Sequence, residues 1–80
     1  MKDLVEMIVK ALVDDPSQVH INETVGESVM ILEIVVAQTD MGKVIGKDGR
    51  IANALRTVVK AAAAKNDKKV TIEILSKDER

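Results

Sequence analysis

The stretch that decides the fold is Gly42-Lys43-Val44-Ile45-Gly46-Lys47-Asp48-Gly49-Arg50-Ile51. These positions hold three of the four glycines in the chain, together with three cations and three branched apolar residues. Glycine lets a backbone turn tightly and lets another molecule approach without a Cβ in the way. The stretch therefore predicts a tight, positively charged turn, and the segments on either side decide what it joins.

A helix is predicted over residues 3–13. Asp3 is the expected N-cap, with Glu6 three residues later as in a capping box. Pro16 should stop the helix, because the residue before a proline is driven out of the helical region. The apolar residues that fall at helical spacing, and so mark the expected buried face, are Leu4, Ile8, Ala11 and Leu12, with Val5 beside them.

Two strands are predicted next. Residues 18–25 alternate, with Val19 and Ile21 expected inside and their neighbours outside, which is typical of a half-buried strand. Residues 29–37 are β-branched and almost continuously apolar, as in a central strand. The short turn at residues 26–28 should join the two strands as an antiparallel hairpin.

Two helices and a last strand complete the pattern. A short helix is expected at about 41–46, capped by Thr39 or Asp40, and the glycine turn then leads into the longest helix, residues 49–65. The final strand should cover residues 70–75, which alternate again. The expected core face of the long helix is Ile51, Leu55, Val58 and Ala62.

The predicted order is therefore αββααβ. The last strand is reached from the second through two helices, which is long enough for a right-handed crossover to a parallel neighbour. We predict an α+β fold, with a three-stranded mixed sheet covered on one face by three helices. The 80 residues should form one domain, with a charged and frayed tail at about 76–80.

The composition argues against several classes of protein. No cysteine is present, so disulfides and thiolate metal sites are excluded, and a reducing, intracellular setting is expected. No apolar run approaches the roughly 20 residues of a membrane helix, and no signal peptide is predicted. His20 is the one histidine and is expected on a strand surface, and no catalytic motif is present. We therefore expect neither an enzyme nor a cofactor.

The net charge of −1 hides an uneven distribution. Residues 1–40 hold two cations and eight acidic residues, a net charge of −6. Residues 41–69 hold eight cations and two acidic residues, a net charge of +6. A polyanion would interact with the middle segment rather than with the whole molecule. The alternative is that these cations only solvate a helix face.

The turn Gly46-Lys47-Asp48-Gly49 lies at the start of the long helix. Free N–H groups at a helix N-terminus favour an anion, and Lys43, Lys47 and Arg50 add positive charge. The spacing does not fit a P-loop, which needs four residues between its glycines and a hydroxyl after the lysine. It does not fit a dinucleotide-binding turn, which directly follows a strand. A plain helix–turn–helix joint stays open as an alternative.

The segment Val44-Ile45-Gly46-Lys47-Asp48-Gly49 resembles the signature of the KH module, in which Val-Ile-Gly is followed by two variable residues and a glycine. The continuation Ala54-Leu55-Arg56-Thr57-Val58-Val59 is similar to the helix after the loop in bacterial type II KH domains. Those domains also have the order αββααβ. The resemblance covers nearly the whole chain, and a stand-alone chain of this length resembles the small bacterial KhpA family.

The resemblance implies an RNA-binding protein that clamps about four nucleotides of single-stranded RNA. It would act in the cytoplasm as a post-transcriptional regulator or RNA chaperone. The implied partners are single-stranded RNA, a second copy of the chain, and a larger multidomain protein with its own KH domain. The implied contacts are Gly46, Lys47, Asp48, Gly49 and Arg50, with Lys43, a groove along Val44 and Ala52, and Arg56 on the long helix. Many KH domains have a larger aliphatic residue at position 52, so we expect a shallow groove floor.

Three alternatives stay open. Arg56 and Lys60 lie one helical turn apart and are as consistent with a solvated helix face as with RNA contacts. The alanines 61–64 fit either close helix packing or a dimer contact. The chain as a whole could also be a protein–protein adaptor that keeps the KH fold for pairing. Salt dependence distinguishes the last alternative, because binding to phosphates weakens steeply with salt.

Overall fold

Three helices and three strands follow one another in the predicted αββααβ order. The structure is a computed structural model that describes residues 2–79. Its regular elements are α1 (Lys2–Leu12), β1 (His20–Val25), β2 (Val29–Val36), α2 (Met41–Ile45), α3 (Arg50–Ala64) and β3 (Lys69–Ser76). Short 3-10 turns lie at Pro16–Gln18, Gln38–Asp40, Lys47–Gly49 and Lys77–Glu79.

The sheet has β2 at its centre. β1 pairs with it in antiparallel fashion, starting at His20 opposite Val35. The hairpin turn is closed by the Gly26 N–H, which donates to the Val29 carbonyl at 2.7 Å. β3 pairs with β2 in parallel over its full length. The mixed three-stranded sheet predicted from the sequence is therefore confirmed.

The two faces of the sheet differ, because successive side chains of a strand point to opposite sides. The residues buried between the sheet and the helices are Ile21, Leu32, Ile34, Val36, Val70 and Ile72. The opposite face is mostly polar and carries Asn22, Thr24, Glu33, Thr71 and Glu73. The three helices thus cover one face, as predicted.

The first helix is shifted relative to the prediction. α1 begins at Lys2, so Asp3 lies inside its first turn and the predicted N-cap is wrong. Glu6 forms an ion pair with Lys10 at 3.5 Å instead of closing a capping box. The residues that α1 buries completely are Val5 and Val9, whereas most of the predicted face is exposed or half-buried.

The buried face of the long helix also differs from the predicted one. α3 buries Ala52, Leu55, Val59 and Ala63, and only Leu55 belongs to the predicted core face. Val58 is 47% exposed. Alanine at two of the four core positions leaves room for the helix to lie close to the sheet, which explains why smaller side chains took the buried face.

The last strand is longer than predicted by one residue at each end. Ser76 is buried and closes β3, so the predicted tail begins no earlier than Lys77. The Lys77 ammonium donates to the Gln18 side-chain carbonyl at 2.8 Å. Arg80, the end of that tail, lies outside the described residues. Within residues 2–79, no helix has the length and apolar character needed to cross a bilayer.

A buried carboxylate connects α1 to α2. Asp40, one of the two residues predicted to cap α2, is 1% exposed, and its side chain makes no cap hydrogen bond. Its two oxygens instead accept hydrogen bonds from the backbone N–H groups of Asp14, at 3.2 Å, and Asp15, at 3.1 Å. We call this arrangement the Asp40 clasp. It holds the chain after α1 against the start of the helix that leads to the glycine turn.

The first prediction concerns the Asp40 clasp. Asp40→Ala should lower the free energy of unfolding by about 1–3 kcal/mol, because two partly buried N–H groups lose their acceptors. Asp14→Ala is the matched control. It removes an exposed carboxylate but leaves the N–H groups bonded, and a surface ion pair contributes less than about 1 kcal/mol. Urea denaturation of both variants measures the difference, and equal losses would contradict the clasp.

Candidate functional site

The turn between α2 and α3 needs the left-handed backbone region at three positions. Gly46 has φ of 77° and Gly49 has φ of 74°. Asp48 lies between them with φ of 56°. Glycine adopts this region without strain, and aspartate is one of the few other residues that visit it regularly. The Gly-x-x-Gly spacing therefore matches the backbone conformation that the turn requires.

Gly46 is also required by its surroundings. A Cβ at this position would lie 2.6 Å from Cγ1 of Ile51, which is closer than packed carbons approach. Ile51 belongs to the first turn of α3, so that turn lies directly over the glycine. The close contact fixes how α3 leaves the loop.

The loop presents two unused amides at its tip. The Gly49 N–H donates to the Gly46 carbonyl at 3.2 Å, and the Arg50 N–H donates to the Lys47 carbonyl. The N–H groups of Lys47 and Asp48 have no acceptor within the described chain. They stand beside the N-terminus of α3, where the helix dipole adds partial positive charge. This arrangement suits an anion.

The side chains of the loop are exposed. Lys47 and Arg50 make no hydrogen bond or ion pair with any described side chain, so both charges are available to a ligand. Asp48 is exposed at the same tip and reduces the positive charge there. The predicted loop residues are thus presented together at one surface.

Lys43 has a different environment from the one predicted. Its ammonium pairs with the carboxylate of Asp14 and lies 3.7 Å from that of Asp40. The hydrogen bond to Asp14, aided by the nearby charge of Asp40, raises the pKa of Lys43 above its ordinary value. Lys43 therefore supports the Asp40 clasp, and its charge is largely neutralised before any ligand arrives.

The predicted groove residues lie in the core. Val44 is 0% exposed and Ala52 is 3% exposed, so neither offers surface to a base in this structure. Val44 belongs to the hydrophobic core cluster, and Ala52 lies on the buried face of α3. The open surface beside the loop belongs instead to the polar side of α3.

Arg56 lies on that polar side. Asn53, Arg56 and Lys60 follow Gly49 at spacings of three or four residues, which places them on one side of the helix. A Cβ on Gly49 would lie 3.8 Å from Nδ2 of Asn53, and Arg56 donates to Oδ1 of Asn53 at 3.2 Å. This strip therefore continues directly from the loop.

Two surface features were missed from the sequence. An open cleft of about 430 Å³ lies where the end of α3 meets β3, and it is lined by Lys60, Lys68, Lys69, Val70 and Thr71. A shallow groove of about 200 Å³ between α1 and α3 is lined by Ile8, Leu12, Ile51, Ala54, Leu55 and Val58. The lysines were visible in the sequence, but the packing of α3 beside β3, which brings them together, was not.

His20 is exposed on β1, as expected. Among residues 2–79, no group of three or more histidine, cysteine or carboxylate side chains is arranged to hold a metal ion.

The second prediction compares two glycines of the same stretch. Gly46→Ala should destabilise the protein by about 1–3 kcal/mol through its positive φ, and the contact with Ile51 adds to that loss. Gly42→Ala is the control, since a Cβ there meets nothing within 4 Å. Because Gly42 lies inside α2, alanine should stabilise by about 0.5–1 kcal/mol. Thermal and urea unfolding measure both, and a neutral Gly46→Ala would contradict the described loop.

Comparison with known proteins shows which family the chain belongs to. The family model described as KhpA/KhpB, KH domain, matches residues 2–74. A Clostridium perfringens protein named RNA-binding protein KhpA is 64% identical over 75 residues, which cover 94% of this chain and 100% of the relative. The Aquifex aeolicus protein of the same name is 47% identical, and the match covers 94% of this chain and 95% of that protein. These are names of RNA-binding proteins and not of enzymes, which agrees with the expectation of a non-enzymatic chain.

A solved structure has a related fold. It is Era in complex with MgGDPNP and nucleotides 1506–1542 of 16S ribosomal RNA, and the TM-score is 0.51 at 17% sequence identity. The match covers 94% of this chain and 29% of that one. At this level of identity the likeness concerns the fold alone. From the family model and the full-length relatives, the chain belongs to the KhpA/KhpB family of KH domains.

Proposed function

We propose that the chain binds single-stranded RNA across the loop from Gly46 to Gly49, clamping the backbone of about four nucleotides. The observation that carries this proposal is the loop itself, with its two free amides and the unpaired side chains of Lys47 and Arg50. Membership of a family whose relatives are named RNA-binding proteins supports it.

The mechanism follows from the loop geometry. A phosphate accepts hydrogen bonds from the N–H groups of Lys47 and Asp48, and the N-terminus of α3 stabilises its charge. The side chains of Lys47 and Arg50 add full positive charges. Lys43 contributes little because two aspartates already neutralise it. These contacts position the RNA backbone without reading its sequence.

The bases meet the polar side of α3 rather than the predicted apolar floor. Asn53 and Arg56 lie there and can hydrogen-bond to base edges, whereas Val44 and Ala52 are buried. The chain has no Phe, Tyr or Trp on which a base could stack. One domain should therefore bind weakly and with little selectivity. This behaviour suits an RNA chaperone or post-transcriptional regulator that acts in the cytoplasm on many RNAs.

We also propose that the chain acts as a homodimer through the groove between α1 and α3. Val58, which lines this groove, is 47% exposed, and every residue that lines the groove is apolar. A second copy suits this face because a twofold axis can place the apolar groove of one chain against the same groove of the other, which removes both from water. Two linked loops would then bind one RNA more tightly than either alone.

The alternative function uses the same face. A larger protein with its own KH domain could occupy the groove in place of a second copy. The chain would then act mainly as an adaptor, and its RNA affinity would depend on that partner. The exposed apolar groove is the observation that favours this alternative.

The third prediction tests the RNA site. Lys47→Asp should abolish binding to single-stranded RNA without unfolding the protein, because the exposed side chain contributes charge but no packing. Asp48→Asn should raise affinity, since asparagine also tolerates the left-handed backbone but does not repel phosphate. Lys2→Asp makes the same charge change on α1 and is the control. Fluorescence anisotropy at two salt concentrations measures all three.

The outcomes of that experiment separate the two functions. Loss of binding in Lys47→Asp alone, with wild-type affinity falling steeply as salt rises, supports the loop. Unchanged affinity in Lys47→Asp contradicts it. If the wild type binds no RNA at either salt concentration, the adaptor function gains support and the single-chain RNA clamp is wrong.

The fourth prediction tests pairing. Val58→Glu should convert a dimer to a monomer, because it places a charge in the apolar groove. Val25→Glu changes a valine of similar exposure on the edge strand β1 and should leave the dimer intact. Sedimentation equilibrium measures both. A wild type that stays monomeric at every concentration, or a dimer that survives Val58→Glu, would contradict pairing through this groove.

A further inference from the structure

We propose that Ile51 is a positioning residue that connects the two proposed sites, so that filling the apolar groove strengthens RNA binding at the loop of the same chain. Ile51 lines the groove between α1 and α3, and its side chain also lies over Gly46. It therefore belongs to both sites. The inference rests on the proposed function, that is, on the RNA loop and on the pairing of two copies, and adds the connection between them.

Ile51 packs against the backbone of the loop. A Cβ built on Gly46 would meet three atoms of Ile51, with Cγ1 at 2.6 Å and both Cβ and Cδ1 at 3.0 Å. Most of the isoleucine side chain therefore covers the α-carbon of Gly46. The carbonyl of Gly46 also accepts the Gly49 N–H at 3.2 Å, so Ile51 rests on the residue that closes the turn.

No capping side chain holds the start of α3 among the described residues. Gly49 is the N-cap, and the helix N-terminus has no side-chain cap hydrogen bond. The preceding helix α2 has only five residues and also lacks such a bond. Helices this short depend on tertiary packing. The contact of Ile51 with Gly46 therefore orients α3 relative to the loop, as a hydrophobic staple fixes the entry of a chain into a helix.

This orientation matters for the proposed phosphate contact. The free N–H groups of Lys47 and Asp48 and the N-terminus of α3 must face one point together to hold an anion. The two amides belong to the loop, whereas the helix N-terminus moves with Ile51. A side chain that holds one against the other raises affinity without touching RNA, because less conformational entropy is lost when RNA binds.

The other side of Ile51 faces the groove. The residue is half-buried, and Ile8 and Leu12 of α1 line the same groove. In a single chain the outer end of Ile51 can change its torsion, because branching at Cβ restricts χ1 and not χ2. A second copy in the groove confines the side chain between that copy and Gly46. Pairing therefore orders the start of α3 before RNA binds.

Coupling of this kind is reciprocal. If pairing strengthens RNA binding by some factor, RNA binding strengthens pairing by the same factor. The effect differs from avidity, in which one RNA contacts two loops. A tetramer is occupied by one loop, since such a loop clamps about four nucleotides. A tetramer that tightens dimerisation therefore acts through the chain that binds it.

The fifth prediction compares Ile51→Ala with Ile8→Ala. Both truncate a half-buried isoleucine of the same groove, and Ile51 supplies the atoms nearest to Gly46. A saturating mixed-sequence RNA tetramer should tighten dimerisation of the wild type by about fivefold, the lower end of typical coupling. Ile8→Ala should dimerise more weakly but keep this shift, whereas Ile51→Ala should lose it. Sedimentation equilibrium with and without the tetramer measures all three proteins.

Hydrogen exchange of the loop amides gives a local readout that a general loss of stability would not reproduce. The Gly49 and Arg50 N–H groups are hydrogen-bonded within the loop. In Ile51→Ala they should exchange about fivefold faster than in the wild type or more, because the start of α3 opens more often. Ile8→Ala should leave them within about twofold, although it also destabilises the protein. If Ile51→Ala does not fold, Ile51→Val, which keeps Cβ and Cγ1, should show a smaller effect in the same direction.

The outcomes separate this inference from the proposed function. If Lys47→Asp binds the tetramer as the wild type does, the RNA loop is wrong and the inference fails with it. If the loop binds and the wild type dimerises, but the tetramer leaves the dimerisation constant unchanged, the inference alone is wrong. It is also wrong if Ile8→Ala and Ile51→Ala lose the shift equally. A wild type that stays monomeric with the tetramer present would contradict both pairing and this inference.

Discussion

The burial of the Asp40 carboxylate determines how the Gly46–Gly49 loop is held against the rest of the protein. A charge removed from water is tolerated only where hydrogen-bond donors satisfy it, and Asp40 is almost completely buried. Its donors are the backbone N–H groups of Asp14 and Asp15, which lie far away in sequence. The Asp40 clasp therefore holds the connection after α1 against the start of α2. Because α2 leads directly into Gly46, the same contact ties the Gly46–Gly49 loop to the hydrophobic core.

The fold was predictable where local sequence decided it. The hairpin and the central strand followed from alternation and from an apolar run, and Val19 and Ile21 point inward as expected. The helix faces were not predictable. α1 and α3 each carry two adjacent apolar stripes, and periodicity alone does not say which one meets the sheet. The core took Val5 and Val9 from α1 and the alanine-rich stripe of α3, and the larger side chains remained outside. These outer side chains form the apolar groove between α1 and α3.

The candidate site, like the fold, was predictable only in part from the sequence. The conformation of Gly46 and Gly49 is a local property of the backbone, so the glycine spacing was enough to locate the loop. The environment of Lys43 depends on Asp40, three residues earlier, and on Asp14, which comes from the segment after α1. A sequence pattern contains no information about the meeting with Asp14. The open cleft beside β3 is similar, because Lys60 and Lys69 become neighbours only when α3 packs beside β3. Charge in a sequence indicates the sign of a ligand, whereas tertiary packing decides where that ligand binds.

The two proposed surfaces lie on opposite sides of one helix. At 100° per residue, Asn53, Arg56 and Lys60 lie on one side of the buried face of α3, and Ile51 and Val58 lie on the other. The first side continues from the loop to the open cleft where α3 meets β3, and the second forms a wall of the apolar groove. A protein bound in the groove would therefore leave the RNA path open. RNA binding and dimerisation therefore need not compete. The packing of α3 against the core leaves a separate side of the helix for each.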